Sequence, residues 1–264
     1  MAAQPVVFIH GLWLHSDCWS SWITRFRAAG YEPIAPGWPG DSNSVADTRN
    51  APERLARKGI DDVVDHYAQI IRSLPEKPIL IGHSFGGLFA QKLLGQDLAT
   101  AAVAISPAQV RGVLPLPFAQ LRSGFPVLGN PLNWSKTIAL TASQFRYGFA
   151  NAVSEHEAAE LFAKWTIPGP GRPLFEAALA NFNPNTPAKV ATDNAKRGPL
   201  LMIAAGLDHT VPAVVTRAAY KLYRKSSAMT ELKEFPDRGH SLTMDSGWGL
   251  IADTSLAWLK SKGL

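Results

Sequence analysis

The stretch Ile79-Leu80-Ile81-Gly82-His83-Ser84-Phe85-Gly86-Gly87-Leu88-Phe89 decides the fold. An apolar run enters it, and a helical pattern of Leu88, Phe89, Leu93 and Leu94 leaves it. A buried strand therefore turns sharply into a helix around a G-x-S-x-G core. The glycines have a steric reason: side chains at Gly82 and Gly86 would collide with the neighbouring strand and helix. The turn lifts the Ser84 hydroxyl above the sheet, at the N-terminus of a helix whose amides favour developing negative charge. A Gly-rich turn with an idle serine is the plainer alternative, and the strand before and helix after weigh against it.

Working outward, similar apolar runs recur. Pro5–Ile9, Pro78–Ile81, Ala101–Ile105 and Leu200–Ala205 are continuous, as strands buried on both faces require. Glu32–Ala35 is a weaker strand, and Glu231–Phe235 alternates as a sheet-edge strand does. Between them lie helical patterns. Val63, Val64, Tyr67, Ile70, Ile71 and Leu74 recur at helical spacing behind Asp61 and Asp62, and Leu250 to Leu259 repeats the pattern. Alternating strands and helices imply a parallel α/β sheet of about six strands.

One segment breaks the alternation. Between about Pro107 and Pro199 there is no convincing strand, and ten of the 20 prolines fall between Pro107 and Pro187. Ser154 followed by Glu157 reads as a capping box opening a helix to about Trp165, and a second helix spans about Pro173 to Ala180. A structureless loop of that length is improbable, so residues 107–198 read as a helical cap over a core built from 1–106 and 199–264. Its apolar residues, among them Phe118, Phe125, Trp134, Phe145, Tyr147, Phe149, Phe162, Trp165 and Phe175, need a surface to bury against. Ordinary packing on the core would provide one; a lid lining a substrate cleft is the functional reading.

Composition bounds the rest. Of 264 residues 46% are apolar and 18% charged, against about 25% charged in an average soluble chain. A packed core follows, and a disordered chain is excluded. The net charge is +5 without a block of five or six like charges, so neither nucleic acid nor membrane is the expected partner. One cysteine, Cys18, excludes an intramolecular disulfide and a Cys-based zinc site, and reads as a small buried hydrophobe. The first residues lack a signal-peptide pattern, and a cytoplasmic location is the default expectation. No metal-ligand spacing, P-loop or G-x-G-x-x-G appears, so no metal and no cofactor is expected.

A serine hydroxyl needs a base, and the base needs an orienting carboxylate. Asp208 follows the strand Leu200–Ala205, and His240 follows Glu231–Phe235. Both stand past strand C-termini, where open α/β sheets bind ligands. Asp237 and Asp245 are rival acids, for which local hydrogen bonding or solvation is the plainer role. His209 shares the Asp208 loop, and His83 packs or caps rather than transfers protons. The backbone N–H of Phe85 and that of Leu12 are the expected oxyanion donors, Gly11 letting the chain bend close to the substrate oxygen. The His10 ring is read as hydrogen-bonded within the same turn.

Gly82-His83-Ser84-Phe85-Gly86-Gly87, His10-Gly11 with Trp19 nearby, Gly206-Leu207-Asp208 and Gly239-His240-Ser241 resemble the α/β-hydrolase superfamily. The resemblance covers nearly the whole chain and puts the insertion at the family's usual cap position. It implies nucleophile Ser84, acid Asp208, base His240, oxyanion amides at Leu12 and Phe85, and an acyl-enzyme mechanism. The first strand starts at Pro5, without the two N-terminal strands common in this family, so a shortened sheet is expected.

Serine at the elbow excludes the family's dehalogenases and epoxide hydrolases, which resemblance says use aspartate there. A carboxylic-ester hydrolase acting on a small apolar substrate is the leading reading. Lactone, thioester or carbon–carbon hydrolysis and a hydroxynitrile-lyase-type reaction use the same triad. A binding protein on this scaffold would need Ser84 and His240 out of reach of each other or a filled cleft. Arg111, Arg122, Arg146 and Lys164 read as solvated cap residues, with an anionic substrate as the alternative. The apolar cap is also compatible with a homo-oligomer.

Overall fold

The computed structural model describes residues 3–264. Eight strands follow in chain order: β1 (Pro5–Ile9), β2 (Glu32–Ile34), β3 (Ile79–His83), β4 (Ala101–Ile105), β5 (Thr137–Ile138), β6 (Gly169–Pro170), β7 (Leu200–Ala205) and β8 (Thr230–Phe235). Six form one sheet in the order β2-β1-β3-β4-β7-β8, and every pair in it is parallel. Each residue of β1, β3, β4 and β7 is buried, which is why these strands are apolar throughout. β8 lies at the edge and is mostly half-buried or exposed, matching its alternating sequence.

Among the described residues there are ten α-helices: α1 (Ser20–Ala28), α2 (Val45–Asn50), α3 (Ile60–Arg72), α4 (Phe85–Gly95), α5 (Phe118–Leu128), α6 (Ala142–Gly148), α7 (Glu155–Trp165), α8 (Arg172–Ala178), α9 (Ala213–Leu222) and α10 (Trp248–Ser261). α3 starts where Asp62 accepts a hydrogen bond from Gly59 N at 2.7 Å, and its apolar stripe faces the core. α4 is buried along nearly its whole length, packed against β1, β3, β4 and α3. An aromatic cluster closes the α1 side of β1: Phe8 stacks on Trp19 at 5.0 Å and meets Phe26 edge-on at 5.2 Å.

Helices cover less than half of the segment between β4 and β7, and residues 107–117 and 179–198 hold none, so the segment is less helical than expected. It carries the antiparallel pair β5 and β6, two residues each, too short for any periodicity in the sequence. Its aromatic residues also divide. Phe145 and Phe149 are buried and stack at 5.1 Å, whereas Phe118, Phe125 and Trp134 are exposed. The capping box before α7 is half realised. Ser154 Oγ accepts from Glu157 N at 3.1 Å, but the Glu157 carboxylate takes the Ser246 N–H at 2.5 Å instead of the cap backbone. Ser246 offers the carboxylate a second donor, its hydroxyl at 3.3 Å, which the cap backbone does not. Among the described residues no helix is long and apolar enough to cross a membrane.

Candidate active site

The elbow follows from backbone crowding. A Cβ on Gly82 would run into the Gly86 carbonyl, and one on Gly86 into the Ile9 carbonyl at the end of β1. Only glycines let β3, α4 and β1 approach this closely. The turn holds Ser84 at φ 56° and ψ −120°, a left-handed conformation costing a serine about 1–3 kcal/mol. The surroundings hold it there: Ser84 N donates to Ile105 O at 2.9 Å, and Ser84 O accepts from Ala108 N at 2.8 Å. Strain of this kind persists where a side chain must be presented.

Asp208 and His240 come together because their loops are laced at the sheet edge. Gly206 N donates to Phe235 O at 2.8 Å and Leu207 N to Arg238 O at 2.9 Å. Gly206 permits this, since a Cβ there would meet the Pro236 backbone. His240 Nδ1 lies 2.6 Å from Asp208 Oδ2, and both side chains are fully buried. The other carboxylate oxygen accepts from Thr210 N at 2.8 Å and Val211 N at 2.7 Å. These bonds compensate the carboxylate's burial. They also orient the ring so that Nδ1 carries the proton and Nε2 presents a lone pair.

The Ser84–His240 link is not made. His240 Nε2 is buried and has no hydrogen-bond partner among the described residues. Around it, Phe149 meets the ring edge-on at 4.7 Å and His83 lies at 4.5 Å. Burial, and then the neighbouring His240, holds His83 well below the usual imidazole range, so His83 is a neutral packing group. It packs, as the sequence suggests.

The rivals resolve similarly. Asp237 is exposed. Asp245 is buried and accepts from Ser241 Oγ at 2.7 Å, from Gly247 N at 3.0 Å and from Arg238. His209 binds Tyr147 O at 2.9 Å. Burial, with the charge of Asp17 second, pushes the Cys18 thiol up, so it remains a buried thiol. Of the cations between β4 and β7, Arg146 pairs with Glu155 at 3.1 Å, while Arg122 and Lys164 lie over Tyr147 and Trp165.

Leu12 and Phe85 both lie at the elbow. A Cβ on Gly11 would stand 2.8 Å from Ser84 Cβ, so the loop after β1 passes directly beside the serine. The N–H groups of Leu12 and Phe85 meet no acceptor among the described residues. The His10 ring does bond within its turn: Nδ1 lies 2.9 Å from Gly11 O and Nε2 3.1 Å from Asp41 Oδ2. Asp41 Oδ2 also accepts from Trp38 N at 2.8 Å. Holding the Gly11 carbonyl fixes the Leu12 N–H as well, because both belong to one planar trans peptide. Asp41 was not among the sequence candidates. It sits in a loop after β2, and no motif links it to His10.

The loop is also fastened to the inserted segment. Trp13 Nε1 donates to Ile138 O at 3.0 Å, Ile167 N to Trp13 O at 2.9 Å and His15 N to Trp165 O at 3.0 Å. Ser84 and Phe85 open into a narrow cleft lined by apolar residues such as Leu116, Leu121 and Leu174. Gln120 contributes a buried Oε1 without a partner to this lining. Among the described residues no group of His, Cys, Asp and Glu could hold a metal ion.

A parallel sheet with a serine elbow beyond β3, and an Asp–His pair beyond β7 and β8, defines a class. The chain belongs to the alpha/beta hydrolase family, whose model matches residues 6–254. No curated protein matches it. Similar solved structures include a methylesterase from Arabidopsis, with 19% identity over 98% of each chain and a TM-score of 0.66. A monoacylglycerol lipase from Paleococcus ferrophilus is 22% identical over 99% of this chain and 96% of its own, with a TM-score of 0.69. Tomato methylketone synthase I, solved with 2-tridecanone, is 18% identical over 99% of both chains at 0.70. At these identities the likeness is one of fold.

Proposed function

We propose that this chain is a serine hydrolase of carboxylic esters, with residues 107–198 as its substrate-selecting cap. The observation that carries the reading is the strained Ser84 lining an apolar cleft, with an oriented Asp208–His240 pair whose imidazole packs on the adjoining His83. In this reading Ser84 Oγ attacks the ester carbonyl carbon as its proton passes to His240 Nε2. Asp208 holds the Nδ1–H and stabilises the imidazolium. The N–H groups of Leu12 and Phe85 receive the oxyanion; losing one such donor costs about 3 kcal/mol of transition-state stabilisation. Collapse expels the alcohol, which takes the proton from Nε2. Water, deprotonated by His240, then releases the acid and restores Ser84. Several neighbours of similar fold are named as esterases or lipases, which agrees with this chemistry.

The unmade Ser84–His240 bond favours one alternative, a non-catalytic binding protein on the same scaffold. Against it stand the open cleft and the free oxyanion amides, and catalytic hydrogen bonds are often long before substrate arrives. Exposure to a fluorophosphonate decides. A stoichiometric mass increase located on Ser84 is expected and would vanish in Ser84→Ala. An unlabelled wild-type protein would sink the hydrolase reading. A panel of ester, thioester and lactone substrates, with Ser84→Ala as control, then identifies the bond; faster turnover of a thioester or lactone than of any ester would replace the ester assignment.

A further inference from the structure

Large apolar side chains in water cluster on the segment above the cleft. Leu114, Phe118, Phe125 and Phe182 are 78%, 77%, 69% and 85% exposed. They fall into two groups. Asn181 accepts from Gly112 N at 2.7 Å and donates to Val113 O at 2.8 Å, which ties the chain just before Phe182 to the chain just before Leu114. On α5, Phe118 and Phe125 are two turns apart on one face, with Leu121 between them. Leu121 is itself exposed and lines the cleft, so this helix face adjoins the space beside Ser84. Exposed apolar ground of this kind marks a binding surface.

The stretch of chain that carries Leu114, Phe118 and Phe125 has charge of one sign. From Leu98 to Ser154 there is no Asp or Glu, while Arg111, Arg122, Lys136 and Arg146 fall in that stretch. Arg146 pairs with Glu155; among the described residues the other three form no ion pair. Arg122 is exposed and lies between Phe118 and Phe125 on α5. Exposed phenylalanines and leucines beside unpaired cations are the composition of a segment that lies in a lipid interface. The same charges count against a second copy of this chain. A two-fold contact would set this face against itself, bringing like charges together while the carboxylate that follows the stretch, Glu155, is already paired with Arg146.

We infer that this rim docks onto an anionic lipid surface, so that the substrate enters the cleft from the lipid phase. Docking rests on the surface alone; only the identity of that substrate as an ester rests on the function proposed above.

The test uses Ser84→Ala protein, which cannot consume a lipid ester, sedimented with phosphatidylcholine vesicles with and without phosphatidylglycerol. Binding to the phosphatidylglycerol vesicles is expected, about tenfold or more above phosphatidylcholine alone. Phe118→Ser with Phe125→Ser, and separately Arg122→Glu with Lys136→Glu, should each weaken it about tenfold or more. In the Ser84 background these four positions, none of which lines the cleft, should leave hydrolysis of a soluble short-chain ester unchanged. No binding, equal binding to both vesicles, or binding that survives the substitutions would overturn the inference. So would self-association of the wild-type chain that the phenylalanine variant dissolves. Vesicle binding without any activity on the soluble ester would support docking while removing the ester reading.

Discussion

The sheet and the segment inserted between β4 and β7 treat the same residue type in opposite ways. Phe8 in β1 is fully buried against Trp19, Trp22 and Phe26. Phe182, beyond α8, stands almost entirely in water. In the sheet an apolar side chain holds the fold together; in the insert several face outward and do nothing for it. The sheet therefore accounts for stability and for the placing of Ser84, Asp208 and His240, and the proposed role of the insert is access to them.

Breaking the sheet side of this contrast should have the largest effects. Asp208→Asn replaces the carboxylate that holds the His240 Nδ1–H with an amide whose NH2 favours the other tautomer, and kcat on an ester should fall by about 10⁴-fold with little change in melting temperature. A loss under tenfold would exclude Asp208 as the orienting acid. Next comes Phe8→Ala, expected to cost about 3–5 kcal/mol in denaturant unfolding through the cavity it leaves.

An acid titration probes the sheet side more gently. His83 is buried neutral, so its folded value lies below that of the unfolded chain. On acidification below about pH 6.5 the unfolded chain takes up a proton that the folded one refuses. Stability is then lost as pH falls, by up to about 1.4 kcal/mol per pH unit. His83→Leu should flatten that part of the profile, and an unchanged slope would mean that His83 is not the group responsible. Smallest of all is Phe182→Ala, expected to stay within about 0.5 kcal/mol of the wild type. A cost comparable to that of Phe8→Ala would erase the contrast between the two regions.

What the sequence disclosed follows the same division. Strands buried on both faces are apolar at every position, so β1, β3, β4 and β7 were legible, as was the alternating edge strand β8. The elbow was legible because its glycines answer to local crowding. The inserted aromatics were expected to bury, and composition alone could not separate Phe145 from Phe118, since tertiary position decides that. Asp41 escaped because its partner His10 is 31 residues away. The Glu157 carboxylate was read locally and instead crosses 89 residues to Ser246. Charge summed over the whole chain concealed a stretch with cations and no carboxylates. Long-range pairings of this kind leave no periodicity to read.

The three hydrogen bonds that fasten Trp13 and His15 to the inserted segment have a practical consequence. Enzyme engineers often treat such an insertion as an interchangeable module, to be grafted from one scaffold to another in search of new selectivity. Here the graft would carry away the Ile138, Trp165 and Ile167 backbone groups that brace the loop bearing Leu12. A chimera would trade selectivity and turnover together unless the donor segment restored those three bonds.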